Sequence, residues 1–268
     1  MNPCGHIEDT NPCKNEVSGR NQHLATLLCA AAMAMLFTAC RGRDLGPASV
    51  DPILLFGGRG TSPGDVAAIE RILSREHLEY STISTQQLNR LTELEIRRYR
   101  LLIVPGGNFE QIGKSVTPAA AANIRAAVRS GLNYLGICAG AFFAGNSPYN
   151  GLNLTSDVRF GFFAAEARGI RKSAVAITDA SGQTLDQYWE DGPQLTGWGA
   201  IVAKYPDGTP AVVEGTYGRG WLILSGVHPE APADWRRGMD FKTPADTDNA
   251  YAAALIRAAL NRELLPHY

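Results

Sequence analysis

A chain of 268 residues, 45% of them hydrophobic, is long enough to bury one large core. Setting aside the two basic and three acidic residues of the first 40 leaves 23 of each sign, a balance without the positive field that a nucleic-acid binder needs. Cys4, Cys13, Cys29 and Cys40 all fall in that first stretch, so Cys138 stands alone in the remainder; this excludes a disulfide framework and a C-x-x-C metal site there. His77, His228 and His267 are scattered, and no metal site is expected from them.

From Leu24 to Ala39 the chain carries no charge, yet it is shorter than the roughly 20 residues that span a bilayer as a helix. Arg20 before it and small residues at its close make the pattern of a secretory signal peptide. Leu36-Phe37-Thr38-Ala39-Cys40 resembles a bacterial lipobox, with Phe37 where leucine is usual. That resemblance implies a leader over residues 1–40, Cys40 as a lipid anchor, a tether over 41–51, and a folded domain over 52–268 held at the cell envelope. The alternative is an ordinary cleaved signal with a spare cysteine. Residues 1–16 are polar and hold three acids, so translation is expected to start near Val17.

In the folded part, Ile53–Phe56 is a short apolar run between Pro52 and Gly57-Gly58 and reads as a buried parallel strand. Ser62-Pro63-Gly64-Asp65 then supplies an N-cap, a first-turn proline and an acid at the positive helix end. The helix it opens puts Val66, Ile69, Ile72 and Leu73 on one stripe. Glu79–Ile83 and Leu101–Val104 read as strands separated by a short helix around Leu88–Arg98, and Thr117-Pro118 opens another helix with Ile124, Ala127 and Val128 inward. Asn133–Ile137 is the fourth strand. Three strand–helix repeats of this kind predict a parallel sheet with right-handed crossovers, and ligands beyond the carboxyl ends of its strands. After residue 170 the runs Ala174–Thr178, Thr184–Trp189, Ala200–Tyr205, Pro210–Thr216 and Trp221–Ser225 are separated by Gly-containing turns and read as antiparallel strands. A closing helix is expected over 246–262.

The fourth strand runs into Gly136-Ile137-Cys138-Ala139-Gly140, a small-residue turn centred on a potential nucleophile, as in a strand-to-helix elbow. A thiol at a helix N-terminus gains from the partial positive charge there, and pairing with an imidazole makes it competent for acyl transfer. His228 follows the end of the last strand, and Glu230, two residues on across Pro229, is placed to orient its other nitrogen. The backbone N–H groups of Gly107 and Ala139 are the expected oxyanion donors. Gly57-Gly58-Arg59-Gly60 departs from the G-x-G-x-x-G spacing, so no cofactor is expected; Gly58, Arg59, Gly106 and Phe142 are candidate substrate contacts. Trp189-Glu190-Asp191-Gly192 and Trp198 offer further aromatic and acidic contacts.

Pro105-Gly106-Gly107, Gly136-Ile137-Cys138-Ala139-Gly140 and His228-Pro229-Glu230, in that order, resemble the class I glutamine amidotransferase-like superfamily. Within it, residues 53–262 look like the domain at the N-terminus of eukaryotic biotin-protein ligases. The resemblance implies a flavodoxin-like, doubly wound, mostly parallel α/β sheet with an antiparallel C-terminal extension, and a Cys138-His228-Glu230 triad. Glutamine-hydrolysing members usually carry a glutamine where this chain has Phe142, and no synthetase or ligase domain is expected to act with the fold. The expected activity is therefore hydrolysis of some other small-molecule or peptide amide. A silent binding domain on the same fold is the alternative, and a redox or glyoxalase-like role a third.

Overall fold

Four apolar residues between a proline and two glycines make β1 (Ile53–Phe56), the strand on which the sheet is laid. It is followed by α1 (Pro63–Arg75), β2 (Tyr80–Ile83), α2 (Thr85–Leu88), α3 (Glu93–Ile96), β3 (Leu101–Val104), α4 (Phe109–Ser115), α5 (Pro118–Arg129), β4 (Asn133–Ile137) and α6 (Ala139–Ala144). Then come β5 (Gly161–Phe162), β6 (Lys172–Asp179), β7 (Thr184–Glu190), β8 (Pro193–Gln194), β9 (Ala200–Lys204), β10 (Pro210–Tyr217), β11 (Gly220–Ser225) and α7 (Ala245–Asn261). This computed structural model describes residues 51–164 and 171–268. The predicted leader, Cys40 and residues 41–50 of the tether lie outside the described residues.

The sheet runs β2-β1-β3-β4-β11-β10-β9-β6-β7, with a separate β5–β8 pair. Strands β2, β1, β3, β4 and β11 are mutually parallel in the flavodoxin-like order, and β10, β9, β6 and β7 continue antiparallel. Alternation along β1 splits the interior into two layers. Ile53 and Leu55 join Ile69, Ile72 and Leu73 of α1 and the apolar side of α7. Leu54 and Phe56 join Ile124, Ala127 and Val128 of α5.

Two sequence readings need correction, and one element went unread. Trp221–Ser225 was expected among the antiparallel strands, but β11 is parallel to β4, with Leu222 opposite Tyr134 and Ser225 opposite Ile137, and antiparallel only to β10. Sheltered on both faces, it is the fifth strand of the parallel core, which brings the loop after Ser225 to the edge where β4 ends. The single helix expected around Leu88–Arg98 is two one-turn helices, each opened by its own capping box, Ser84 with Gln87 and Thr92 with Glu95. Helix α4, capped by Asn108, was not anticipated.

Beyond β11 the segment carrying Trp235 is pinned to the body by a buried cluster. Arg236 pairs with Asp248 of α7 at 3.3 Å and donates to the Thr243 carbonyl, while Gln187 of β7 donates to Asp248 at 3.0 Å. Burial pushes the Asp248 carboxyl up to about 7, against the pull of Arg236. The folded chain therefore keeps a proton that the unfolded chain releases near 3.8, so the stability Asp248 contributes at low pH is lost as pH rises through about 7. Glu230 and His228, both also raised, act in the same direction. Tm should be higher at pH 5 than at pH 8, and Asp248→Asn should flatten that slope; a Tm that rises over this range in the unmodified protein would contradict it.

Candidate active site

Cys138 sits at φ 48°, ψ −102°, between the end of β4 and the first turn of α6. A non-glycine residue held there stores roughly 1–3 kcal/mol of backbone strain, which the surrounding packing must impose. Two contacts do so. The Cys138 N–H donates to the Ser225 carbonyl at 2.7 Å, tying the elbow to the end of β11. At Gly140 a Cβ would lie 1.9 Å from the Val104 carbonyl oxygen, so only glycine lets α6 settle this close to β3. The thiol faces the Glu190 carbonyl at 3.5 Å, and Cys138 is 4% exposed.

Five of the predicted site residues line one cleft of about 810 Å³, a volume typical of small-molecule sites. Cys138, Ala139, Gly107, Phe142 and His228 line it together with Asp65, Tyr188, Glu190 and Trp235. Gly107, at φ 139°, and Ala139 both line this cleft. Gly106 lies behind the imidazole, and a Cβ on it would meet His228 Cε1 at 2.5 Å and Asp65 Oδ1 at 2.3 Å.

The loop after β11 positions His228 from two sides. Its N–H donates to the Tyr188 carbonyl at 2.8 Å, which joins the edge strand β7 to this loop, and its ring is flanked by Tyr188 and Trp235. Nδ1 donates to Glu230 Oε1 at 3.0 Å, the contact anticipated from His228-Pro229-Glu230. Asp65 Oδ1 is equally close at 3.0 Å. Only the glutamate oxygen meets the directional requirement of a hydrogen bond; Asp65 Oδ1 is otherwise unpartnered and makes an off-axis charge contact. With Nδ1 committed to carboxylates, Nε2 is buried without a hydrogen-bond partner among the described residues.

Two acids on one imidazole cannot behave alike. Burial is the largest influence on each and opposes ionisation; for Asp65 the charge of the adjacent His228 is the strongest opposing influence and holds the carboxyl below its usual range. Glu230, wholly enclosed and facing Asp65, is pushed up to about 7 by burial. Burial also works against charging His228, but the charges of Cys138, Glu230 and Asp65 overcome it and raise the imidazole well above its ordinary value. The arrangement favours an ionised Asp65, an imidazolium, and a Glu230 that holds its proton up to near neutral pH.

Asp65 is the site residue that sequence reasoning missed. Its sequence signal was fully explained by helix capping, and Ser62 does accept from the Asp65 N–H. The scattered histidines gave no hint of a donor cluster, yet Asp65, His228 and Glu230 place ligand atoms within 4.8 Å of one another. Within that group Nδ1 of His228 and Oε1 of Glu230 lie at hydrogen-bond distance.

Three expected substrate contacts, Gly58, Arg59 and Gly106, do not line the cleft. Arg59 is exposed, its N–H held by Thr85 Oγ1 at 2.7 Å, and Gly58 packs against Phe56 and Thr85. Trp189 is core, with Nε1 bonded to the Gly192 carbonyl, and Trp198 packs on Gly215; Glu190 and Asp191 do line the cleft.

Residues 52–174 match the family described as biotin-protein ligase, N terminal. The matched biotin-protein ligase N-terminal span takes in β1 through α6, with Asp65 and Cys138, and stops inside β6, before His228 and Glu230. No curated protein matches the chain. Similar solved structures include the GH42 β-galactosidase Gan42B from G. stearothermophilus, 14% identical over 81% of this chain and 30% of that one, TM-score 0.48. An exo-β-1,4-mannosidase from Opitutaceae bacterium strain TAV5 is 15% identical over 78% and 36%, TM-score 0.48. This chain thus spans about a third of the length of those two glycosidases. A Thermoplasma acidophilum protein provisionally named as a GMP synthase component is 11% identical over 77% and 96%, TM-score 0.47.

Proposed function

We propose that the protein is a cysteine-dependent hydrolase of amides, with Cys138 as nucleophile, His228 as its base and acid, and Asp65 and Glu230 as the acids that orient the imidazole. The observation that carries this reading is the joint exposure of Cys138 and His228 to one cleft while Nδ1 is locked and Nε2 is unpartnered. The thiolate would attack the carbonyl carbon, forming a C–S bond and a tetrahedral oxyanion supported by Gly107 and Ala139 N–H groups. Collapse would break the C–N bond, and the amine would leave with a proton from the imidazolium. Water, deprotonated by His228, would then cleave the thioester to a carboxylic acid and restore the thiolate.

Labelling with iodoacetamide across pH, followed by peptide mapping of Cys138 in the full chain, tests the pairing. At pH 7 Cys138 should react faster than glutathione does under the same conditions. A rate at or below that of glutathione would overturn the reading. Export and anchoring at Cys40 belong to the same proposal; among the described residues no helix is long and apolar enough to cross a membrane. Metabolic labelling with a fatty acid should mark the protein and should be lost in Cys40→Ser; an unlabelled protein would remove the anchor.

A further inference from the structure

The side of the cleft next to the thiol is built from aromatic rings. Phe142 lies one helical turn after Cys138 on α6 and so stands over the same side of the helix. It stacks on Phe109 at 4.6 Å and 25°, and Phe162 of β5 leans on it at 5.0 Å and 58°. Phe162 nevertheless remains 37% exposed, one of only four large apolar side chains so exposed among the described residues. The other side carries Tyr188 and Trp235, 5.5 Å apart.

Chemically, this subsite differs from one made for a carboxamide or an amino acid. Its side chain one turn beyond the nucleophile is Phe142, which can neither donate nor accept a hydrogen bond. A three-ring wall with an open face beside a nucleophile matches a planar apolar group, which gains both desolvation and offset or edge stacking. We propose that the amides cleaved at Cys138 carry an aromatic acyl group, aryl or arylalkyl, seated against Phe109, Phe142 and Phe162. This rests on the hydrolase reading given above and goes further by naming the substrate class.

Three chloromethyl ketones bearing methyl, n-butyl or benzyl test it on the full chain. Each alkylates by thiolate displacement of chloride, forming C–S and breaking C–Cl, and each rate at Cys138 is divided by the same reagent's rate with glutathione. The benzyl reagent should exceed the methyl one by about tenfold and the butyl one severalfold, the scale expected for burying and stacking one ring. Phe162→Ala should bring the benzyl-to-methyl ratio close to one. Equal normalised rates, or butyl ahead of benzyl, would overturn the aromatic class while leaving the nucleophile intact. Failure of all three to modify Cys138 would instead remove the hydrolase reading and this inference with it.

Discussion

Replacing His228 with alanine is expected to slow hydrolysis of p-nitrophenyl acetate, the simplest activated acyl donor, by about 10²–10⁴-fold, the usual weight of a positioned general base. Alkylation of Cys138 at pH 7 should fall by about tenfold or more, because a thiol that is 4% exposed must then ionise without a neighbouring cation. The variant's melting temperature must be measured alongside, since His228→Ala leaves the buried Asp65 and Glu230 facing each other without the imidazole; the backbone N–H that joins the loop to β7 is retained. Unchanged alkylation and hydrolysis in a protein that melts normally would remove His228 from the chemistry.

Neutralising the two acids separately should give different pH signatures. Asp65→Asn removes the carboxylate that stays ionised and should depress alkylation severalfold at both pH 6 and pH 8. Glu230→Gln should matter little at pH 6, where the glutamate, pushed up to about 7, already holds a proton, and should show its loss at pH 8. The physical basis is that an anion facing Nδ1 stabilises the imidazolium formed when Nε2 takes the thiol proton. Stability measurements must accompany both, since removing one member of a buried charged group leaves the others uncompensated. Rates that fall more at pH 6 in Glu230→Gln than in Asp65→Asn would reverse the assignment of the charged acid.

These residues also mark the limit of what the sequence revealed. The parallel core and the elbow were readable because their signals are local: Ile53–Phe56, Leu101–Val104 and Asn133–Ile137 are short apolar runs, and Gly136 and Gly140 flank Cys138. His228 and Glu230 were readable because Pro229 holds them two residues apart after a strand. Asp65 was not, since its place opposite Nδ1 follows from the strand order that sets β1 and β11 on either side of β3 and β4. Phe109 and Phe162 escaped for the same reason: one begins a helix that went unrecognised, and the other belongs to a two-residue strand paired with Pro193–Gln194. Arg59 misled because a glycine-rich turn after the first strand of a parallel sheet often meets the ligand, whereas here Thr85 and Ser115 hold its backbone.

Trapping of a covalent intermediate bears most directly on the chemistry proposed for Cys138. Intact-protein mass spectrometry after rapid mixing of the full chain with p-nitrophenyl phenylacetate should show one acyl adduct, mapped to Cys138, that forms in a burst and decays as the ester is consumed. No adduct should form on Cys138→Ala. A protein that never acquires the adduct, or that acquires it at Cys138 and never releases it, would contradict acyl transfer by this site.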